Sequence, residues 1–410
     1  MPEVGWQLSP DDVDAPIGDP VFVDPRAPRI GADSWPTDFI MDAGDAWITA
    51  VMGLQSSGPS SLVGVEPRDG SVRWVHDPPP DETVVACAAE LLQDALACVV
   101  GDGAEQTAVT LVDASSGTVS GTFALPAPAR TIGVVGQDVV VVLDGALHGS
   151  TRIIRYTSDG EEVWSSAVEV DDQMLATEYY EGLVVTPVSI VVNLGGAVRV
   201  LTPDEGAVVF ADGPVIVRAR PDGSFLVDSA GFGPTGTVTF HEPDGTVLAD
   251  YPGYRMLPPL LRDGPAVWPL LVGPDNGVYH WDETEKALVS TQAHLAEGGD
   301  ASTSLTGTTL LVSEPGLLRA VDTSVPEELW RADLDLPYWG VVADELGVYA
   351  VVQEAAAVTG IRLSDGSAMW ELPLPEGSAS DEDGTETRGL EHVGEHVVLA
   401  GLGEIAQLAF

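Results

Sequence analysis

The segment HVGEH, residues 392–396, is the stretch of this chain that matches a metalloenzyme signature. It has the H-x-x-E-H order of the inverted zinc proteases, in which both imidazoles bind one zinc ion from the same face of a helix. Here Gly394 interrupts the segment and the strand-like sequence VVLAG follows it. In a strand, residues four positions apart lie roughly 13 Å from each other, too far for two zinc bonds of about 2.1 Å. We therefore expect His392 and His396 to be surface histidines and predict no metal site.

Two further segments partly match ligand-binding motifs, one for calcium and one for phosphate, but neither has the complete motif. The acidic sequence ASDEDGTE around Asp381 and Asp383 cannot be an EF-hand loop, because Ala379 and Leu390 would occupy the positions that need Asp and Glu. We expect a solvated loop there, and a weak, irregular cation site near the two aspartates stays open. The sequence GLGEIA, residues 401–406, lacks the third glycine and the helix of a phosphate cradle. No spacing of serines and histidines indicates a nucleophile, so we predict no catalytic, cofactor-binding or metal-ligating residue.

The two cysteines of the chain, Cys87 and Cys98, flank the sequence AAELLQDALA. If residues 90–94 form a bend between two strands, the thiols face each other across a hairpin. A disulfide needs Cα atoms about 4.4–6.8 Å apart, which paired strands supply. We predict a disulfide and therefore an extracytoplasmic compartment, secreted or membrane-anchored, with the anchor outside these residues. A pair of free thiols in a cytoplasmic protein is the alternative.

The charge of the chain excludes several kinds of partner. Lys and Arg number 17 against 64 Asp and Glu, a formal net charge of −47 over 410 residues. Such a surface repels nucleic acids and anionic lipids and attracts basic partners. Simple solubility of a large acidic protein explains the same composition. No apolar run is long enough to span a bilayer, and the acidic N-terminal sequence does not have the character of a signal peptide.

A turn that ends in glycine recurs along the whole chain. Its clearest copies, GVEPRDGSVRW, IRYTSDGEEVW and GIRLSDGSAMW, place an aromatic residue four positions after the glycine. The turn glycines are Gly70, Gly117, Gly160, Gly206, Gly245 and Gly366, and the aromatic residues that we assign to seams between repeats are Trp6, Trp74, Trp164, Phe210, Trp330 and Trp370. A repeat of about 40–45 residues with several short strands is typical of a β-propeller.

The fold that we predict is all-β: a single β-propeller of four-stranded antiparallel blades over residues 41–410, preceded by an extended arm, residues 1–40. Eight turn-bearing repeats are recognisable, and the last 16 or so residues supply additional strands without an outer one. A strand from the N-terminal arm, containing Trp6, would complete that blade. We predict eight blades, with seven or nine as alternatives and with the closing blade shared by the two ends of the chain.

The repeat resembles the PQQ-like repeat of quinoprotein dehydrogenases and of the outer-membrane assembly scaffold BamB, over roughly residues 45–410. Non-catalytic members of that family, including actinobacterial ones, are commonly extracytoplasmic binding scaffolds. Its enzymes usually hold calcium on carboxylate and Asn oxygens, and alcohol-oxidising members have adjacent cysteines. Here the cysteines are eleven positions apart, and only Asn193 and Asn276 are present.

We therefore expect a non-enzymatic, monomeric scaffold without a cofactor, which binds a protein or glycan partner, with basic character favoured. A PQQ- and calcium-dependent dehydrogenase, or another enzyme with its site in the channel, is the alternative. Several aromatic residues lie off the repeat, at Trp268, Trp281, Tyr179, Tyr180, Tyr338 and Trp339. They either line a binding mouth or pack in the core.

Overall fold

A computed structural model describes most of the chain. The described residues are 3–26, 39–53, 60–102, 107–143, 151–168, 182–193, 198–213, 215–229, 236–257, 270–282, 284–295, 302–306, 308–314, 317–323, 327–333, 341–343, 348–352, 357–373, 389–393, 396–401 and 403–409.

The fold is all-β, as predicted. The described chain begins with β1 (Glu3–Leu8) and one turn of 3-10 helix (Pro10–Asp12), and every later element in the described residues is a strand. The sheets are antiparallel blades of a β-propeller, four-stranded except for one that has a short fifth strand. The chain divides into two compact units. Within the described residues, no helix has the length and apolar character needed to span a membrane.

The larger unit comprises Val4–Gly213 and Glu386–Ala409 and contains blades 1 to 4. Blade 1 consists of β2 (Pro20–Val23), β3 (Met41–Asp42), β4 (Trp47–Gly53), β5 (Ser61–Val65) and β6 (Val72–His76). Blade 2 consists of β7 (Thr83–Cys87), β8 (Ala95–Gly101), β9 (Thr107–Asp113) and β10 (Val119–Ala124). Blade 3 consists of β11 (Ala129–Val135), β12 (Asp138–Leu143), β13 (Thr151–Thr157) and β14 (Glu162–Val168). Blade 4 consists of β15 (Gly182–Val185), β16 (Ile190–Asn193), β17 (Val198–Leu201) and β18 (Val208–Asp212).

The smaller unit, chiefly Pro214–Thr385, contains blades 5 to 8. Blade 5 consists of β19 (Ile216–Ala219), β20 (Phe225–Asp228), β21 (Thr237–His241) and β22 (Val247–Pro252). Blade 6 consists of β23 (Arg255–Met256), β24 (Leu271–Val272), β25 (Gly277–Asp282) and β26 (Ala287–His294). Blade 7 consists of β27 (Ser302–Thr306), β28 (Thr309–Glu314), β29 (Leu317–Asp322) and β30 (Glu327–Asp333). Blade 8 consists of β31 (Val341–Ala343), β32 (Val348–Val352), β33 (Ala357–Ile361) and β34 (Ala368–Pro373).

The two ends of the chain share one further sheet, which we call the terminal sheet. It consists of β35 (Gly389–Val393), β36 (His396–Gly401) and β37 (Glu404–Ala409), with β1 paired to β37 as the outer strand. The shared closing sheet is thereby confirmed. The eight blades are each built from strands that follow one another along the chain, as the eight predicted repeats require. The eight predicted blades are thereby confirmed, and the terminal sheet is a ninth described sheet. Blade 1 has five strands, because β3 pairs with β4 beside the path formed by β2, β4, β5 and β6.

Each blade has two different ends. The connections from the first to the second strand and from the third to the fourth strand lie at one end, here called the turn end. The connection from the second to the third strand, and the exit to the next blade, lie at the opposite loop end, because antiparallel neighbours reverse direction at each connection. At the turn end of blade 2, Gly117 has a φ of +69°, and its N–H donates to the carbonyl oxygen of Asp113 at 2.8 Å. Glycine suits this left-handed conformation because it lacks a Cβ.

The aromatic residue of one blade lies against the turn glycine of the next. A Cβ added to Gly117 would lie 2.7 Å from the indole of Trp74, whose Nε1 donates to the carbonyl oxygen of Ala114 at 3.0 Å. Three other tryptophans make the same contact with the next sheet. The Trp6 indole donates to the Pro67 carbonyl oxygen of blade 1. The Trp164 indole donates to Pro203 of blade 4, and the Trp330 indole donates to Leu363 of blade 8. These contacts exclude water from the seam and leave the indole N–H satisfied.

Candidate functional site

The HVGEH segment does not form a metal site of the zinc-protease kind. It runs from β35 into β36, and Val393 pairs with His396 in the ladder, so the segment spans a hairpin and not a helix. The His396 ring lies edge-on to Trp47 at 5.5 Å, and its Nδ1 accepts from Gln407 Nε2 at 2.7 Å. Among the residues that the structure describes, no group of three or more His, Cys, Asp and Glu side chains could hold a metal ion. Asp381 and Asp383 lie outside the described residues.

The predicted disulfide is present. Cys87 of β7 pairs directly with Cys98 of β8, their sulfur atoms are bonded, and their Cα atoms are 4.0 Å apart. Both side chains are buried. The stretch between them forms the bend of a hairpin, as expected.

Phe210 and Trp370, the other two aromatic residues assigned to seams, lie on the fourth strands of blades 4 and 8. Phe210 lies on β18 opposite Val200, and Trp370 lies against Gly360 across the pairing of β33 and β34. Trp281 is buried and stacks on Phe240 at 4.0 Å, so it packs in the core of blades 5 and 6. The remaining aromatic residues named from the sequence, Trp268, Tyr179, Tyr180, Tyr338 and Trp339, lie outside the described residues.

Two aromatic residues at the seams were not predicted from the sequence. Phe123 packs against Gly160, and Tyr251 accepts a hydrogen bond from the Leu288 backbone N–H at 3.1 Å. Each follows its own turn glycine by six positions instead of four. Positions four and six face the same side of a strand, so a search at both spacings would have found them.

The loop end of blade 6 departs from the pattern of the other blades. In the other seven, the pairing of the third and fourth strands shifts register near the turn end. In blade 6, Gly277 pairs with His294 and Tyr279 pairs with Ser290, so a two-residue step along β25 matches a four-residue step along β26. β-bulges of this kind redirect side chains and are frequent beside functional sites. The buried Thr291 braces the bulge, since its Oγ1 donates to the Val278 carbonyl oxygen at 2.8 Å.

Three side chains converge beside this bulge, and we call them the tyrosine corner: Tyr254, Asp275 and Tyr279. Tyr254 lies in the link from blade 5 to blade 6, and Asp275 lies in the turn between β24 and β25. The two rings meet edge to face, with centroids 5.2 Å apart and planes at 70°. The Tyr279 hydroxyl donates to Asp275 Oδ2 at 3.0 Å. Both rings are half-buried and Asp275 is exposed, so part of the corner faces solvent.

The surrounding backbone holds the corner in place. The Gly277 N–H donates to Asp275 Oδ1 at 3.0 Å, and the Leu295 N–H donates to the Asn276 carbonyl oxygen at 2.8 Å. A Cβ on Gly273 would lie 2.8 Å from the Tyr279 ring and 3.0 Å from the Tyr254 ring. The backbone therefore packs directly on both aromatic rings.

The electrostatics of the corner follow from these hydrogen bonds. The Gly277 N–H and then the Tyr279 hydroxyl hold the pKa of Asp275 below its usual range. Partial burial, followed by the hydrogen bond to Asp275, raises the pKa of Tyr279 to about 12. At neutral pH the corner thus presents the Asp275 carboxylate hydrogen-bonded to the neutral Tyr279 phenol.

Two basic side chains lie near the corner. His294 is exposed at the end of β26, and its charge contributes to lowering the pKa of Asp275. Arg319 is paired with Glu314, Nε to Oε2 at 3.1 Å, and also donates to the His294 carbonyl oxygen. The sequence offered one signal for this site, the turn GPDNG at residues 273–277 with a tyrosine two positions beyond it. The proximity of Tyr254 could not be read from spacing.

The chain is similar to solved β-propeller structures at low identity. BamB from Moraxella catarrhalis is 15% identical, with 90% of this chain and 96% of that chain covered and a TM-score of 0.49. The quinohemoprotein alcohol dehydrogenase from Comamonas testosteroni is 11% identical, with coverage of 100% and 76% and a TM-score of 0.47. A europium-containing methanol dehydrogenase is also 11% identical, with coverage of 100% and 93% and a TM-score of 0.46.

No protein-family model matches the chain, and no curated protein matches it. Since each of these TM-scores is below 0.5, the fold assignment rests on the strand pairing of this chain.

Proposed function

We propose that this protein is a non-enzymatic, extracytoplasmic scaffold that binds a protein or glycan partner at the loop ends of its blades. One observation carries the proposal, namely the difference between the turn end of blade 5 and the loop end of blade 6. In blade 5 the compact glycine turn of the repeat joins β21 and β22, whereas the loop end of blade 6 combines a bulge, two half-exposed tyrosines and an exposed carboxylate. Rigid strands that support variable connections are a common way of building binding surfaces.

The disulfide supports the extracytoplasmic part of the proposal, because such bonds persist in oxidising compartments. The net charge of −47 supports a partner with basic character, which a long-range field would attract. From the resemblance of its repeat, we propose that the protein is a PQQ-like protein of the membrane-anchored, actinobacterial type. Measuring the mass of the native protein from its own cells, with and without reductant, tests whether the bond forms there.

Attaching a polymer at a chosen residue tests whether the partner binds at the loop end or at the turn end of the blades. This is the shielding experiment. Because both native cysteines are in the disulfide, an introduced cysteine supplies a single thiol for attaching polyethylene glycol. Pro274→Cys places it at the loop end of blade 6, and Glu285→Cys places it at the turn end of the same blade; both positions are exposed. Probes are ligands that the unmodified protein selects from peptide and glycan arrays.

We expect the polymer at residue 274 to abolish binding and the polymer at residue 285 to leave it intact. Equal inhibition from both positions, or inhibition from the turn end alone, would contradict a loop-end site. The enzyme alternative is tested on the same protein with added PQQ and Ca²⁺. A thermal shift accompanied by reduction of an acceptor dye would overturn the non-enzymatic assignment.

A further inference from the structure

We infer that the tyrosine corner binds the cationic side chain, arginine or lysine, of a basic segment in a protein partner. The inference rests on the proposed function and names the partner chemistry for one position at the loop end. It combines three features that are found together there: two partly exposed aromatic rings, a carboxylate in hydrogen-bond contact with one of them, and a rigid backbone behind both.

The rings supply the first part of the recognition. A cation within about 6 Å of a tyrosine ring is attracted by the negative face of the π system. Tyr254 and Tyr279 meet edge to face with their centroids 5.2 Å apart, so a cation that contacts one ring is close to the other. A planar guanidinium group can also stack on an aromatic ring, which favours arginine over lysine.

The carboxylate supplies the second part. Asp275 accepts one hydrogen bond at each oxygen, from the Gly277 N–H and from the Tyr279 hydroxyl. A carboxylate has about four lone-pair sites, so it can accept further hydrogen bonds from a bound guanidinium. The two internal donors also keep it ionised and oriented before the partner arrives, which lowers the entropic cost of binding.

The remaining charges restrict where the cation can lie. The chain as a whole carries a net charge of −47, which attracts a basic segment from a distance. Close to the corner, His294 is exposed and Arg319 is neutralised by Glu314. Because these two basic side chains lie at the end of β26, we expect the basic segment to approach from the side of Tyr254.

The test uses a fluorescently labelled peptide of alternating arginine and glycine, with a serine–glycine peptide of the same length as the neutral probe. Fluorescence anisotropy measures the dissociation constant for the full chain and its variants at low and physiological salt. The decisive pair is Asp275→Asn and Asp244→Asn. Each removes one negative charge from an exposed turn of the smaller unit, and in each turn Oδ1 of the aspartate accepts a backbone N–H two residues later.

We expect Asp275→Asn to weaken arginine-peptide binding by about fivefold or more and Asp244→Asn by less than about twofold, since Asp244 lies at the turn end of blade 5. Tyr254→Leu should weaken binding by about two- to fivefold without a change of charge. Circular dichroism and the melting temperature verify that the variants are folded.

Equal effects of the two aspartate substitutions would overturn the inference, because the peptide would then be responding only to the overall field. Selective binding of a neutral oligosaccharide at the corner, lost in Tyr254→Leu and unchanged in Asp275→Asn, would also overturn it in favour of a glycan. Either result leaves the loop-end proposal intact, since the shielding experiment tests that proposal separately. Loss of peptide binding in Asp275→Asn, with retention in Asp244→Asn, supports the assignment.

Discussion

Blades 5 and 6 follow one another in the smaller unit, yet they place their irregularities at opposite ends. In blade 5, the pairing of β21 and β22 shifts between Phe240 and His241, beside the turn. In blade 6, the shift lies at the other end of β25 and brings Tyr279 beside Asp275. The turn-end shift between the third and fourth strands is therefore part of the repeat, whereas a loop-end shift between these two strands occurs among the eight blades in blade 6 alone, for the pairs that the structure describes.

The buried seams at the turn ends and the partly exposed tyrosine corner at the loop end should also respond differently to substitution. A turn end carries the glycine on which a neighbouring aromatic packs, so changes there should reduce stability. The tyrosine corner is partly exposed, so changes there should reduce binding with a smaller loss of stability. The predictions below test both halves of this comparison.

Truncation of a seam tryptophan should have the largest effect. Trp74 is 8% exposed, contacts both Gly64 and Gly117, and donates a hydrogen bond to Ala114. We expect Trp74→Ala to lower the free energy of unfolding by about 3–5 kcal/mol, through lost burial and the cavity that remains. Urea titration measures it. A loss below about 1 kcal/mol would show that the seams do not carry the stability assigned to them.

The turn glycine itself offers a matched pair. Gly117 and Gly136 both have positive φ, +69° and +63°, but only Gly117 has a neighbouring ring where a Cβ would lie. Gly136→Ala should cost about 1–2 kcal/mol for the backbone alone. Gly117→Ala should cost about 1–3 kcal/mol more, because the ring of Trp74 must move. Equal losses in thermal denaturation would mean that the seam accommodates the extra methyl group.

The bulge of blade 6 depends on one buried hydroxyl group. Thr291→Val keeps the shape of the side chain but leaves the Val278 carbonyl oxygen without its donor, so we expect a loss of about 1–2 kcal/mol and weaker binding at the corner. Thr303→Val is the control, because Thr303 is buried and its hydroxyl has no hydrogen-bond partner. That variant should be as stable as the parent or more stable. If both variants lose equal stability, the bulge is not held by Thr291.

Acid sensitivity should show the smallest effect per residue. The hydroxyl groups of Ser115 and then Ser116, together with their backbone N–H groups, lower the pKa of Asp113 in the folded protein. Since the folded pKa is below the unfolded value of about 3.9, this contribution to stability is present above that value and is lost as the pH falls through the folded pKa. We expect Asp113→Asn to flatten the fall in melting temperature below about pH 4. An unchanged profile would contradict the role of this turn.

Local sequence determined much of this protein. The recurring turn predicted the four-stranded antiparallel blades, because glycine is needed where φ is positive and apolar runs suit strands covered on both faces. The symmetric placement of Cys87 and Cys98 about one bend indicated their pairing. Such features depend on residues close together in the chain, where spacing alone fixes which side chains can meet.

Other features could not be read from the sequence. The structure keeps the terminal sheet separate from blade 1, and it brings Tyr254 to Asp275 and Tyr279 from another segment. The reason is physical: a bulge or a link between blades changes the direction of the backbone, and the spacing of the sequence repeat does not indicate that change. Which side chains then meet depends on how whole sheets pack against one another, and that packing is a sum over many distant residues.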